Sequence, residues 1–208
     1  LKKRAAVMGL GVAAAAMGAA RMEAQNGKLA AAPPVTYDNR YEVYGGINYM
    51  NFQAGQNVPK LMNFGGGELA GTYWLSDRWG GVVDFRGEAG TTPVLPNSQF
   101  NGRALVVLYT GMLGAQYRVR QNQRAAFDLH AYAGVSHGNF DYTLPQDQSG
   151  LYTNRTKPIG AFGGSLDLNR SRNLAIRLSP DLIVEHFGSD TREFFGISGG
   201  VIYRIGRR

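Results

Sequence analysis

The chain contains no cysteine in its 208 residues. That absence excludes a disulfide framework, a thiolate metal site and a lipid-anchored lipoprotein N-terminus. Charge is sparse as well, with Asp, Glu, Lys and Arg making up 18% of the sequence. The run from Ala5 to Ala20, made only of Ala, Gly, Val, Met and Leu, falls short of the about 20 residues that a transmembrane helix needs. What the chain has in quantity is glycine, 29 residues, and aromatics, with 11 Tyr and 10 Phe. Glycine together with Tyr, Val and Phe points to β-structure rather than to a helical bundle, and the length points to one domain.

Lys2, Lys3 and Arg4 precede the uncharged run. A basic head, a short apolar stretch and small residues after it predict a secretory signal peptide over residues 1–24, cleaved after Ala20 or Ala24. Its removal would take away Lys2, Lys3, Arg4, Arg21 and Glu23 and lower the net charge from +7 to +4. A charge that mild gives no reason to expect a nucleic-acid partner. Residues 25–39, with Ala30-Ala31-Ala32-Pro33-Pro34, show no apolar period. They are expected to form a linker before a domain at 40–208.

From Tyr41 onward, apolar and polar residues alternate with period two, the signature of strands with two different faces. Strands are expected over 41–52, 64–75, 79–88, 104–118, 125–136, 159–168, 174–187 and 194–205. Pro180 lies inside the seventh, where it predicts a bulge or weak pairing. The connections alternate long and short, with the long loops expected at 89–103 and 137–157 and tight turns at 76–78, 119–124 and 169–173. An up-and-down barrel places odd and even connections at opposite ends, which accounts for the alternation. The last strand is amphipathic to its end. Pairing it with the first closes the sheet and leaves no sticky edge.

Parity alone does not say which face points inward. A soluble barrel of lipocalin type would turn its apolar face in. Three features argue the reverse. One is the signal peptide. Another is the placing of Tyr41, Trp79, Tyr117 and Tyr203 near strand ends, where aromatic girdles sit. The third is the polar face, which carries Glu42, Glu68, Asp84, Arg86, Glu88, Arg118, Asp128, Asp167, Arg177, Asp181 and Arg204. A lipid-facing charge costs up to about 2–4 kcal/mol at the bilayer midplane, so these belong inside, where they must pair.

Ser198-x-Gly200-x-x-Tyr203-x-Ile205 resembles the polar-x-Gly-x-x-aromatic-x-hydrophobic signal on the terminal strand of bacterial outer-membrane barrels. It departs from that pattern by continuing to Gly206-Arg207-Arg208. With Tyr44-Gly45-Gly46, Val83-Asp84-Phe85 and Gly163-Gly164-Ser165-Leu166-Asp167, the stretch from Tyr41 to the end resembles the small OmpA/OmpX-like outer-membrane β-barrels. The resemblance implies an all-β fold, an eight-stranded antiparallel up-and-down transmembrane β-barrel in the bacterial outer membrane, with residues 25–39 as a periplasmic linker. It further implies contact with outer-membrane lipids and lipopolysaccharide, and engagement of the outer-membrane assembly machinery through the terminal strand. A monomer is expected, with a structural or interaction role, presenting extracellular loops and having no wide pore. The expected contact surface is the 137–157 loop with Phe140, Tyr142, Leu144, Leu151 and Tyr152. The other readings are a narrow channel for small solutes, a lipid A-modifying outer-membrane enzyme and a soluble lipocalin-like binder.

No residue set points to catalysis, a cofactor or a metal. Asp128, His130 and Ser136 share one parity. His130 and Ser136, however, lie roughly 20 Å apart along an extended strand, beyond the reach of a base and its nucleophile. The lipid A deacylase family carries a His-x-Ser motif. Here His130 precedes Ala131-Tyr132, His137 precedes Gly138-Asn139 and His186 precedes Phe187-Gly188. Gly65-Gly66-Gly67-Glu68-Leu69-Ala70 matches G-x-G-x-x-A but enters a strand, whereas the dinucleotide fingerprint opens a helix. Enzyme activity is therefore not expected.

Overall fold

A computed structural model describes residues 34–55, 58, 62–93, 103–141, 150–186 and 191–207. The expected signal peptide, Tyr142 and Leu144 lie outside the described residues. The strands are β1 (Tyr41–Phe52), β2 (Met62–Trp74), β3 (Trp79–Pro93), β4 (Arg103–Gln121), β5 (Ala125–Asp141), β6 (Arg155–Asn169), β7 (Leu174–Glu185) and β8 (Arg192–Ile205). They form one closed antiparallel barrel in chain order. β8 closes on β1 with Tyr41 opposite Ile205 and Gly46 opposite Gly200. At this seam Gly200 has a steric reason, since a Cβ there would collide with the Gly45 carbonyl and the Gly46 backbone. The short connections and both ends of the strand series share one rim, the turn end. The long connections share the other, the loop end.

The faces divide as the alternation predicts. Outward positions from Tyr41 to Tyr49, Gly65 to Tyr73, Trp79 to Thr91, Leu105 to Val119, Ala125 to Val135, Pro158 to Leu168, Leu174 to Val184 and Phe195 to Ile205 carry no charged side chain. Ile47 and Leu113 on this belt are 76% and 65% exposed. Tyr41 and Tyr73 pair at the turn end with ring centroids 5.3 Å apart, and Trp79 and Tyr117 with centroids 4.8 Å apart. An uncharged belt above an aromatic girdle, around a charged interior, is the pattern of a membrane-spanning barrel. It is the inverse of a lipocalin, so the soluble-binder reading is set aside.

Pro180 produces no bulge. Its strand stays in register, and only the pairing of Gly164 and Ser165 with β7 lapses. Pro180 faces outward and still pairs with Ile197 across β8. Asp181 therefore keeps its inward parity. The bulge lies elsewhere, between Arg118 and Arg120 opposite β5.

The loop-end limits need correction. β3 runs on to Pro93, β4 starts at Arg103, β5 reaches Asp141 and β6 begins at Arg155, so the loops expected at 89–103 and 137–157 are shorter. The cause is an inversion of polarity with parity kept. Near this rim the outward positions turn polar, with Asn51, Asn63, Thr91 and Asn139. The inward ones turn apolar, with Phe52, Phe64, Val106 and Phe140 all buried. A strand leaving the bilayer meets water outside and needs an apolar filling inside, so the signs exchange.

The seam yields a prediction. Replacing Tyr203 and Ile205, both outward on β8, with aspartate should leave export intact and block barrel assembly. The variant should accumulate outside the membrane fraction or be degraded. A charge-matched control must avoid Phe140, which the structure buries. Thr153 and Thr191 are exposed, and their double aspartate variant should assemble like the parent. Equal membrane recovery and equal heat-modifiable gel mobility for both variants would remove β8 from its assigned role.

Candidate functional site

The interior is filled in layers, as an eight-stranded barrel requires, because its lumen is only wide enough for side chains. At the turn end, Glu42, Asp128 and Asp167 meet Arg118, Arg177 and Arg204. Arg177 binds Asp167 through two contacts of 2.7 and 2.9 Å. Arg118 binds Asp128 at 3.0 and 3.1 Å and reaches Glu42 at 3.3 Å. Arg204 also reaches Glu42 at 3.3 Å. Fork-like arginine–carboxylate contacts are the strong class of charged hydrogen bond. Arg118 stacks on Trp74 with 3.9 Å to the ring centroid.

The next layer is centred on Arg86, which lies 2.9 Å from Asp84, 2.8 Å from Asp181 and 3.7 Å from Glu68. His130 contacts Asp181 at 2.7 Å and stacks on Tyr132 with centroids 4.6 Å apart. Above it, Asn48 donates to Glu88 at 2.7 Å and Thr110 to Ser136 at 3.0 Å. The expected pairing of inward charges is thus complete in the turn half. In the loop half it is partial, for among the described residues Glu88 is met by Asn48 and not by an arginine, and Glu185 has no arginine partner.

The three residues that superficially suggested a triad are kept apart. Asp128 is held by Arg118, His130 by Asp181 and Ser136 by Thr110. Gly65-Gly66-Gly67 lies inside β2, as read. Among the described residues no group of three or more His, Asp or Glu side chains is placed to hold a metal ion.

The loop end is plugged. Phe52 packs on Phe64, Phe194 and Phe140 with ring centroids 5.2, 5.4 and 6.5 Å away. Tyr152 sits edge-on to Phe140 at 5.9 Å. Phe140, Leu151 and Tyr152 are 2%, 6% and 6% exposed. These three were expected to form an outer contact surface. They are core residues of the barrel mouth, because apolar side chains beside a water-facing rim gain more from burial than from display.

The turn end carries a second plug that no sequence signal announced. Residues 34–39, expected to be linker, cross beneath the lumen. Val35 exchanges hydrogen bonds with Gln123 at 2.7 and 3.1 Å. The Tyr37 hydroxyl donates to the Asn122 carbonyl at 2.8 Å and accepts from Asn169 at 2.6 Å. The Arg118 and Arg204 guanidinium groups lie 5.0 and 4.8 Å from the Tyr37 ring centroid. Burial pushes the Tyr37 phenol up from its ordinary range. Tyr37 adopts φ 52°, a left-handed conformation that costs a side chain about 1–3 kcal/mol and persists where surrounding contacts demand it. Those contacts close the barrel from below.

No family model matches the chain, and no curated protein matches it. Solved structures do. The neisserial surface protein NspA superposes with a TM-score of 0.57 at 10% identity, over 79% of this chain and 97% of that one. Ail, the attachment invasion locus protein of Yersinia pestis, gives 0.54 at 19% identity, over 81% of this chain and 99% of that one, in its complex with the heparin analogue sucrose octasulfate. The outer membrane protein OprG of Pseudomonas aeruginosa gives 0.50 at 11%, over 81% and 96%. The shared feature is the fold, a small eight-stranded outer-membrane β-barrel.

Proposed function

We propose that this chain is a bacterial outer-membrane protein that works as a sealed, non-enzymatic anchor, presenting its loop-end rim outside the cell. One observation supports this above all. The lumen is filled from rim to rim by a tyrosine plug, two ionic layers and an aromatic plug, while the outside offers lipid an uncharged belt. Nothing of that arrangement favours solute passage. The contact surface moves from the buried aromatics to the exposed rim, where Arg103, Thr153, Asn154, Thr156 and Glu193 face water. Its neighbours are outer-membrane lipids and lipopolysaccharide, which the belt and the polar rim suit.

The reading predicts that purified protein in planar bilayers gives no stable single-channel conductance, while its gel mobility is heat-modifiable and its solubility depends on detergent. A large, steady conductance would overturn the sealed anchor in favour of the narrow channel. Solubility without detergent would overturn the membrane assignment itself.

A further inference from the structure

The turn-end rim is strongly basic. Arg40, Arg78, Arg120, Arg124, Arg170 and Arg207 are exposed there and Arg172 is half-buried, while Asp38 and Asp77 are its acids among the described residues. Most of these arginines sit on turns open to water, where they form a diffuse collar. Arg172 and Arg207 differ, for they line a cavity of about 290 Å³ between the N-terminal plug and the rim, together with Tyr37, Asp38, Asn39, Asn173, Arg204 and Gly206. The cavity opens beside the ends of β7, β8 and β1. Its neighbours on the outer face are the lipid-facing Tyr41, Tyr203 and Ile205, at the level of the aromatic girdle.

Its wall is built rather than incidental. Asn173 donates to the Arg204 carbonyl at 2.9 Å, which ties the β6–β7 turn to the end of β8. The Arg204 amide donates to the Asn173 carbonyl at 2.8 Å in return. Gly206 takes φ 73°, turning the chain so that Arg207 faces the cavity. Arg172 lies 3.6 Å from Asp38, and the two side chains are 32% and 43% exposed. A loose, half-exposed pair of that kind contributes little and is readily exchanged for a better anion. Asp38 is itself held by the Thr36 hydroxyl at 2.5 Å.

We propose that this cavity binds the phosphate of an anionic phospholipid headgroup at the inner surface of the outer membrane, with Arg172 and Arg207 as its charged contacts and Asp38 as an internal competitor, while Arg204 in the inner wall stays bound to Glu42 and Asn169. Arginine suits phosphate because its planar fork donates two parallel hydrogen bonds. The girdle places the cavity at headgroup depth. The proposal rests on the membrane reading given above. Free phosphate shares the chemistry and is separated in the test.

The full chain in maltoside micelles is titrated with dihexanoyl phosphatidylglycerol, dihexanoyl phosphatidylcholine and inorganic phosphate, following the Asn173 and Gly206 amides by NMR. Phosphatidylglycerol should give saturable shifts and phosphatidylcholine none. The Arg172→Gln, Arg207→Gln variant should bind about thirtyfold more weakly, the loss of two basic contacts. Asp38→Asn should bind more tightly than the parent, an outcome that no folding defect imitates. Arg124→Gln with Arg170→Gln removes the same charge outside the cavity and should bind like the parent. Equal weakening by both arginine pairs, or equal shifts from the two lipids, would overturn the site. Inorganic phosphate binding as tightly as phosphatidylglycerol would overturn the lipid source. A protein stable without detergent would overturn the membrane reading instead, since these titrations report the cavity whatever its surroundings.

Discussion

Replacing Arg177 with methionine should destabilise the barrel by about 3–5 kcal/mol, the cost of stranding a buried charge whose partner has been removed. Arg177 is 6% exposed and touches three carboxylates. It makes the two-pronged contact with Asp167 and approaches Asp128 at 3.6 Å and Glu42 at 3.7 Å. In the turn half three arginines face three carboxylates, so the single substitution leaves one excess negative charge in a buried interior. Removing Asp167 as well, as Asp167→Leu with Arg177→Met, restores the balance. The double variant should regain most of the loss, since a buried pair replaced by apolar groups of similar volume is often neutral. Urea unfolding of vesicle-reconstituted protein measures both. A double variant as unstable as the single one would show that Arg177 contributes packing rather than charge balance.

Phe52→Ala should cost about 3–5 kcal/mol, the usual range for a fully buried phenylalanine. Its ring is wholly buried and is the common partner of Phe64, Phe140 and Phe194. The neighbours come from β2, β5 and β8, so the surrounding sheet cannot collapse into the space without breaking its ladder. The comparison residue is Phe85, outward and 57% exposed. There lipid tails replace the lost ring, and Phe85→Ala should shift the urea midpoint far less. Phe52→Ala should also remain non-conducting, because both ionic layers below it are untouched. Conductance appearing with this one substitution would mean that the aromatic plug alone seals the barrel.

The strands were legible because each half of the alternation has its own solvent. Within the bilayer the outside meets lipid and the inside meets charge, so Val83, Phe85 and Gly87 alternate cleanly with Asp84, Arg86 and Glu88. β1 was readable to the residue for this reason. At the loop end the rule still holds with its signs exchanged. Asn139 faces out and Phe140 faces in, and a reading that followed apolar residues outward stopped the strand at Ser136. Phe140, Leu151 and Tyr152 then looked like a sticky loop, because hydrophobicity without parity does not separate an exposed patch from a plug. The sign change, at Asn51 before Phe52 and Asn63 before Phe64, is itself a readable marker of the membrane surface.

By itself the sequence determined the number of strands, their two faces, the alternation of long and short connections and the closure of β8 on β1. Each of these follows from period-two patterning and turn residues, which act over a few neighbours. Only the tertiary structure decided which arginine meets which carboxylate, where Tyr37 goes and how both mouths close. Glu42 on β1 meets Arg118 on β4 across a sequence separation of 76 residues, and Arg86 on β3 meets Asp181 on β7. No local pattern encodes such partners, because contacts across a lumen depend on the barrel's diameter and stagger, and these exist only once the last strand has joined the first.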